Sequence, residues 1–298
     1  MIAVGDSLKG RDFTRVAAWS GEELLACLDL ADELKRARRQ REEHRLLPGR
    51  ALGMLFEKPS LRTRVSFAVG IHELGGLGVP LARGELQLGE RETLRDGALV
   101  LSRYLDGLVV RTFSQDVVEE LAEHATVPVI NGLTDETHPC QALADALTIR
   151  ERFGRLDGIR VAYIGDGNNV CASLAAACNA LGASFVAATP AGYEPAEGEV
   201  VHDPAEAARG ADVLYTDVWT SMGRDDEREQ RLRDFAGFTI DERLVGLAGD
   251  DAIVLHCLPA HYGEEIEESV LYGPRSAVFD QAENRLHAQK ALLALVIE

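Results

Sequence analysis

Short apolar runs alternate with segments of helical spacing along most of the chain, and this alternation restricts the fold more than any other feature. Helical segments separate the strand-like runs of the first half, which lie at 51–56, 78–82, 107–112 and 127–131. A second series follows, with strand-like runs near 160–165, 184–189, 213–218, 252–257 and 277–280. Parallel strands joined by crossover helices produce such alternation. We predict an α/β protein with two doubly wound parallel-sheet domains joined by interdomain helices.

The length and the polar segments suggest where these domains divide. A chain of 298 residues fits two domains of about 150 residues each. We place the first domain at 1–138, with a C-terminal helix at 284–298 packing back on it, and the second at 139–283.

Charge and composition exclude several classes of partner. The formal net charge of −18 argues against nucleic acid and against an anionic membrane surface. No apolar run reaches the roughly 18–20 residues needed to span a bilayer. The first residues lack the layout of a signal peptide, so we expect a cytoplasmic protein. The five cysteines are scattered and show no zinc-site spacing, so we expect reduced thiols and no metal.

The junction between the first strand and the next helix has the composition of an anion site. Residues 60–64 read SLRTR and follow the apolar run 51–56. A helix start presents unpaired N–H groups and the positive end of the helix dipole. Two arginines and two hydroxyls at this point favour a bound phosphate. The alternative is that Ser60 is an ordinary N-cap and that the arginines are solvated.

Other polar segments follow the remaining strands, where ligands bind in sheets of this type. These segments are 111–112, 138–141, 165–169, 217–223, 256–260 and 283–285. Each has a structural alternative: His138 before a proline can cap a turn, and Cys257 between two leucines can be a core thiol. The sequence GDGNN at 165–169 resembles a nucleotide loop but lacks the full dinucleotide fingerprint, which weighs against a dinucleotide-dependent oxidoreductase.

Taken together, these segments resemble the aspartate/ornithine carbamoyltransferase superfamily. The matching motifs are SLRTR at 60–64, HPCQ at 138–141 and HCLP at 256–259. The segment 217–223, DVWTSMG, is similar to the ornithine branch of that superfamily. The resemblance implies transfer of the carbamoyl group of carbamoyl phosphate to the δ-amine of L-ornithine, giving L-citrulline and phosphate. An enzyme acting on putrescine or N-acetylornithine is the alternative, and a catalytically silent binding protein is disfavoured because every expected position is filled.

The same resemblance assigns residues to roles. It implies catalytic roles for Arg111, His138, Asp217 and Cys257. The residues implied for carbamoyl phosphate are Ser60, Leu61, Arg62, Thr63, Gln87, Arg111, His138, Gln141, Cys257, Leu258 and Arg285. Those implied for ornithine are Asn169, Asp217, Ser221 and Met222. No cofactor is implied. Compared with that superfamily, the chain is markedly shorter between Tyr193 and His202. We therefore expect no crossover helix after the second strand of the second domain, and part of the sheet exposed unless another element or an oligomer contact covers it.

The resemblance also implies an assembly. The family forms trimers in which a neighbouring subunit completes the phosphate site, and Gln87 is the residue at the matching position. We therefore expect a homotrimer, or a multiple of trimers, acting in arginine metabolism. We expect Cys257 to orient the amine rather than to act as a nucleophile.

Overall fold

The computed structural model describes residues 7–82, 92–220 and 225–298. The chain divides into two compact units, and each contains one parallel sheet. Unit 1 comprises Met1–Leu147 and Asn284–Glu298, and unit 2 comprises Thr148–Glu283. None of the helices in the described ranges is both long and apolar enough to cross a bilayer.

Unit 1 is built around four parallel strands. They are β1 (Ala51–Phe56), β2 (Leu77–Ala82), β3 (Gly107–Arg111) and β4 (Val129–Leu133). Their order across the sheet is β2-β1-β3-β4, so the chain reverses direction across the sheet after β2. The carboxyl ends of β1 and β3 are in register, with Phe56 opposite Arg111. This register places the segment after β1 beside the end of β3, where a ligand site is expected.

The helices of unit 1 follow the predicted alternation. They are α1 (Gly21–Gln40), α2 (Arg62–Glu73), α3 (Leu94–Leu101), α4 (Gln115–His124) and the first part of α5 (Pro139–Phe153). A capping box starts α1, because Ser20 Oγ accepts from the Glu23 amide at 3.3 Å and the Glu23 carboxylate accepts from the Ser20 amide at 2.7 Å. The helix ends at Gln40, because Arg41 adopts a left-handed conformation with φ of 59°.

Unit 2 contains five parallel strands. They are β5 (Arg160–Ile164), β6 (Ser184–Ala188), β7 (Glu199–Val201), β8 (Val213–Thr216) and β9 (Ile253–His256). Their order is β7-β6-β5-β8-β9, a doubly wound arrangement with β5 at the centre. The carboxyl ends of β5, β8 and β9 are therefore neighbours, and the polar segments that follow them come together.

The remaining helices lie in unit 2 or lead out of it. They are α6 (Asn169–Leu181), α7 (Pro204–Ala208), α8 (Arg228–Asp234), α9 (Glu242–Val245), α10 (Glu268–Leu271) and α11 (Val278–Val296). The helix α11 carries the chain from unit 2 into the C-terminal segment of unit 1.

The predicted strand at 277–280 is wrong. Residues from Val278 onward form α11, and the adjacent Ser276 makes only an isolated bridge with Val254. The fifth strand of the sheet is instead β7, at its edge. A short apolar run has no period of its own that separates a strand from the first turn of a helix. The long helical pattern after it decides the conformation, so the final helix begins at 278 rather than near 283.

The short connection between β6 and β7 contains no helix, as predicted. On one face of the sheet, Tyr193 from this connection packs on Phe235, with ring centroids 4.7 Å apart, and Phe235 stacks on Trp219 at 5.4 Å. On the opposite face, Phe185 and Val200 remain half-buried. Aromatic packing therefore covers one face at this edge, and the other stays partly exposed.

Phe235→Ala should destabilise unit 2 strongly, because Phe235 is fully buried at the centre of this aromatic cluster. We expect a loss of about 3–5 kcal/mol in the free energy of unfolding, the usual cost of removing a buried phenylalanine ring. Urea unfolding followed by tryptophan fluorescence measures the shift. The matched control is Phe279→Ala, since Phe279 is 54% exposed. Equal effects of the two substitutions would contradict the assignment.

Candidate active site

The segment after β1 leaves its backbone and hydroxyl groups available to an anion. Ser60 Oγ accepts from the Thr63 amide at 3.2 Å and so helps to start α2, which begins at Arg62. The Leu61 side chain is 74% exposed and points away from the fold. Thr63 is buried, whereas Arg64 is exposed. The helix start is therefore present as predicted, and Ser60 contributes both to it and to the polar surface beside it.

Two buried arginines converge on the hydroxyl of Thr63. Arg111, at the end of β3, donates from Nη1 to Thr63 Oγ1 at 3.3 Å. Arg285, on α11, donates from Nη2 to the same oxygen at 3.0 Å. Arg111 is only 6% exposed and Arg285 only 4%. Two guanidinium groups that share a neutral acceptor create a strongly positive, poorly hydrated position. Such a position favours a multiply charged anion such as a phosphate.

Gln141 and His138 extend this cluster along α5. Arg285 Nη1 donates to Gln141 Oε1 at 2.7 Å, and Gln141 Nε2 donates to Asp145 Oδ1 at 2.8 Å. These two bonds fix the orientation of the Gln141 amide. Burial holds the pKa of His138 well below its ordinary value of 6.5, and the charges of Arg285 and Arg111 lower it further. His138 is therefore a neutral imidazole, which can donate a hydrogen bond to a carbonyl oxygen without carrying charge.

Cys140 lies within the same motif but is not a reactive thiol. Its Sγ lies 3.3 Å from the carbonyl oxygen of Asn131, and the side chain is fully buried. Burial raises the pKa of Cys140 to about 12. A thiol that stays protonated at neutral pH is a poor nucleophile, so this cysteine serves packing.

In unit 2, the carboxylate of Asp217 accepts hydrogen bonds on both oxygens. Asp217 follows β8, and Cys257 follows β9. Cys257 Sγ donates to Asp217 Oδ1 at 2.9 Å, and Asn168 Nδ2 donates to Asp217 Oδ2 at 2.9 Å. Asp217 is only 6% exposed. Three strand ends therefore bring a carboxylate, a thiol and an amide together, as parallel strands in this order require.

The loop that carries Cys257 and Leu258 is held in a constrained conformation. Leu258 has a φ of 58°, which is unusual for a residue with a side chain. Its amide donates to His256 Nδ1 at 2.8 Å, and His256 Nε2 lies 3.0 Å from Glu265 Oε1. The His261 amide donates to the same Glu265 oxygen at 2.6 Å. Because His256 and Glu265 are buried, their hydrogen bonds hold the loop in one conformation.

The glycine-rich turn after β5 is packed against its own chain. A Cβ at Gly167 would lie 2.2 Å from the backbone nitrogen of Pro195, and the Gly167 amide donates to the Tyr193 carbonyl at 2.8 Å. Asp166 is buried and pairs with Arg231 at 2.8 Å. Gly167 is therefore explained by its contact with residues 193–195 rather than by a bound pyrophosphate. This packing argues against the dinucleotide-dependent alternative.

Three predicted site residues lie outside the described residues, namely Gln87, Ser221 and Met222. Asn169 is the first residue of α6 and is half-buried. The structure brings the other predicted residues into two groups. Those in unit 1 are Ser60, Leu61, Arg62, Thr63, Arg111, His138, Gln141 and Arg285, and those in unit 2 are Asn169, Asp217, Cys257 and Leu258.

Two clusters of described residues bring three metal-binding atoms within 4.8 Å of one another. They are Asp217 with His256 and Cys257, and His261 with Glu264 and Glu265. Both ring nitrogens of His256 are already used in the loop described above. Glu264 pairs with Arg228, whose positive charge opposes a cation. Neither of these two clusters therefore resembles a metal-binding site.

Models of two protein domains match almost the whole chain. The carbamoyl-P binding domain of aspartate/ornithine carbamoyltransferases matches residues 11–151, and the Asp/Orn binding domain of the same family matches residues 157–296. The chain belongs to the aspartate/ornithine carbamoyltransferase family. The resemblance seen in the motifs is thereby confirmed, and so is the predicted fold class.

Individual members of this family are similar over their full length. The ornithine carbamoyltransferase of Acidothermus cellulolyticus is 56% identical over 284 residues, covering 90% of this chain and 91% of that protein. The ornithine carbamoyltransferase of Thermococcus kodakarensis is 50% identical over 307 residues, covering 98% of each. The solved structure of ornithine carbamoyltransferase from Pyrococcus furiosus superimposes with a TM-score of 0.95 at 48% identity, covering 97% of this chain and 98% of that one.

Two polar residues of this carbamoyltransferase fold were missed from the sequence. Asn168 contacts Asp217, whereas the prediction named its neighbour Asn169 for the ornithine site. The preference of asparagine for helix N-caps was the available signal, because Asn168 precedes an apolar helical pattern. Glu265 had no such signal, since its role depends on the turn that returns it to His256.

His138→Gln should reduce the loss of stability on acidification. Because the folded protein keeps His138 neutral, only the unfolded chain takes up this proton below pH 6.5. The contribution of neutral His138 to the free energy of unfolding is therefore complete above pH 6.5, and it is lost as the pH falls toward the folded-state pKa. At pH 5 this loss is at most about 2 kcal/mol, since one pKa unit corresponds to about 1.4 kcal/mol. Urea unfolding at pH 7 and pH 5 measures it.

The control for this measurement is His72→Gln, because His72 is exposed on α2 of the same unit. Burial also lowers the pKa of His287 to about 3, but that group is common to both variants and cancels in the comparison. If the free energy of unfolding of His138→Gln falls between pH 7 and pH 5 as much as that of the wild type, then His138 is not held neutral.

Proposed function

We propose that the protein transfers the carbamoyl group of carbamoyl phosphate to the δ-amine of L-ornithine, giving L-citrulline and phosphate. The observation that carries this proposal is the convergence of two buried arginines on Thr63 Oγ1 in unit 1. The names of the relatives support it, since the similar proteins cited above are ornithine carbamoyltransferases. We propose that unit 1 is the carbamoyl-phosphate-binding domain and unit 2 the ornithine-binding domain.

In unit 1, the phosphate binds at the start of α2. Ser60, the Leu61 amide, Arg62 and Thr63 provide hydroxyl, amide and guanidinium donors, and Arg111 adds a buried positive charge. The leaving phosphate gains charge as its bond to the carbamoyl carbon breaks, so fixed cations stabilise the transition state more than the ground state. Gln87 of a neighbouring subunit adds a further contact to the same phosphate.

The carbamoyl oxygen is held by neutral and positive donors of the same unit. As the amine attacks, the carbonyl becomes tetrahedral and its oxygen gains negative charge. His138, Arg285 and Arg111 supply donors for that charge, and Gln141, whose oxygen accepts from Arg285, orients the group. A neutral His138 suits this role because it donates a hydrogen bond without transferring its proton. Removal of one such donor in other enzymes costs about 3–4 kcal/mol of transition-state stabilisation.

In unit 2, Asp217 receives the amino acid together with Asn169, Ser221 and Met222. The amine attacks as a free base, so it must lose a proton from an ammonium group whose pKa is ordinarily about 10.4. The amine nitrogen forms a bond to the carbamoyl carbon, and the C–O bond to phosphate breaks. The phosphate leaves with the bonding electron pair and accepts the proton that the amine nitrogen loses. Cys257 and the Leu258 carbonyl orient the amine. Because Cys257 Sγ donates to the Asp217 carboxylate, it acts as a hydrogen-bonding group rather than as a nucleophile.

The acceptor specificity is tested by steady-state assays with four amines. With saturating carbamoyl phosphate, we expect kcat/KM for ornithine to exceed that for putrescine, N-acetylornithine and aspartate by at least about 100-fold, because a site built for a zwitterion leaves polar groups unpaired with the others. Release of phosphate, the product common to all four reactions, is measured. A preference for any of the other three amines would overturn the proposed acceptor.

We also propose a homotrimer acting in the cytoplasm in arginine biosynthesis. The five thiols are free and four of them are buried, which suits a reducing compartment. The trimer follows from the resemblance at Gln87, which places one residue of the phosphate site on a neighbouring subunit. A closed ring of three subunits makes every phosphate site shared.

Mixed trimers test this assembly. Gln87→Ala and Arg111→Gln should each abolish most activity alone, because each removes a phosphate contact. Co-expression should restore activity, since about one third of the sites in a mixed trimer combine a native Arg111 with a native neighbouring Gln87. Light scattering should give a mass of about 97 kDa, three times the chain mass of 32.4 kDa. Failure to regain activity in mixed trimers would show that Gln87 does not act across the interface.

A further inference from the structure

Asn168 links the start of a helix to the carboxylate at the centre of unit 2. It is the N-cap of α6, and its Oδ1 accepts from the amides of Val170 at 3.0 Å and Cys171 at 3.1 Å. Its Nδ2 donates to Asp217 Oδ2 at 2.9 Å. One short side chain therefore joins N–H groups that have no acceptor within the helix to an acidic residue at the end of another strand.

The orientation of this amide is determined by its partners. The Tyr163 phenol lies 3.3 Å from Asn168 Oδ1. Burial raises the pKa of Tyr163 well above its ordinary value, and the Asp217 charge raises it further, so the phenol keeps its proton and donates it. Three donors thus face Oδ1, while Nδ2 faces a carboxylate. A reversed amide would place donors against donors, which fixes the observed direction.

Asp217 is consequently held from two sides by different elements. Asn168 binds Oδ2, and Cys257 binds Oδ1 from the loop after β9. Each oxygen keeps a lone-pair direction for one further donor, such as an ammonium group. Polarisation of the Asn168 amide by the helix start strengthens its bond to Asp217, because hydrogen bonds in series reinforce one another.

From this arrangement we infer that Asn168 is a positioning residue for the reaction. It fixes the Asp217 carboxylate in the orientation that receives the amine substrate, and it acts through Asp217 rather than on the substrate. The inference rests on the proposed function for its catalytic consequence. Its structural content, a coupling between Asn168, Asp217 and the Cys257 thiol, does not depend on the identity of the substrate.

The alternative is that Asn168 is only a helix cap. Two variants separate these roles, because Asp and Ser are N-caps about as good as Asn. Asn168→Asp keeps the cap but replaces the donor facing Asp217 by a second carboxylate. Asn168→Ser keeps the cap and removes the donor without adding charge. A residue that served only as a cap would tolerate both changes.

In Asn168→Asp, the new carboxylate and Asp217 lie at hydrogen-bond distance and share one proton. The acidic limb of the pH–activity profile should therefore move. The other titratable groups of this network are the Tyr163 phenol, the thiols of Cys171 and Cys257, His256, and Asp166, which is paired with Arg231. The substitution replaces none of these groups. A second carboxylate disfavours the Cys257 thiolate, which acts on the alkaline side of the pH profile, so an upward shift on the acidic side reports on the new carboxylate pair.

For Asn168→Asp, we expect kcat/KM for ornithine to fall about 100-fold at pH 7.5, and its acidic limb to move up by about one pH unit. Asn168→Ser should lower kcat/KM about tenfold without moving the limb. The KM for carbamoyl phosphate should change less than about twofold, since the donors proposed for its phosphate lie in unit 1 and are not substituted. Unchanged ornithine kinetics in both variants, or losses that merely follow the folded fraction in circular dichroism, would overturn the inference.

A second readout needs no activity. Cys257 is the only half-exposed cysteine, whereas Cys27, Cys140, Cys171 and Cys178 are buried. Iodoacetamide reacts with the thiolate, so the second carboxylate of Asn168→Asp should slow the labelling of Cys257 about fivefold or more at pH 8.5. Asn168→Ser should not slow it. If the wild type does not carbamoylate ornithine, the proposed function fails while this test still stands. Identical labelling rates in the wild type and Asn168→Asp would refute the coupling.

Discussion

The sharing of one hydroxyl by two buried guanidinium groups is the interaction on which the chemistry of unit 1 depends. Arg111 reaches Thr63 Oγ1 from the end of β3, and Arg285 reaches it from α11. Their charges, added to burial, keep His138 neutral. The same charges favour an anion at the start of α2. In the proposed function, the acyl phosphate group of carbamoyl phosphate provides this anion, and its carbonyl meets donors that are already in place.

In the proposed function, unit 2 binds the amine, and it must do so without stabilising the protonated form that cannot attack. Asp217 is fixed by Asn168 and Cys257, and the adjacent loop is fixed by His256 and Glu265. The left-handed backbone of Leu258 is locally unfavourable, and the buried hydrogen bonds below it offset that cost. In the proposed function, this rigid carboxylate and the Leu258 carbonyl orient the amine without binding it so tightly that attack is hindered.

The accuracy of prediction differed between the strand ends and the residues that support them. Arg111, His138 and Asp217 follow apolar strands, and the rule that ligands bind beyond the carboxyl ends of parallel strands selects them directly. The run 277–280 was predicted as a strand because four residues carry no decisive period, and it is the start of α11. The Glu265 contact was not predictable, since it depends on how the loop folds back.

The sequence by itself determined the alternation of strands and helices, the two parallel sheets and the residues at the strand ends, because apolar period and strand-end position are local properties of the chain. Only the tertiary structure decided that Arg285 meets Thr63, 222 positions away, and that Asn168 faces Asp217. Such pairings depend on which helix returns to which strand and on the direction of a single side chain. Both are settled by packing and by the need to pair buried polar groups.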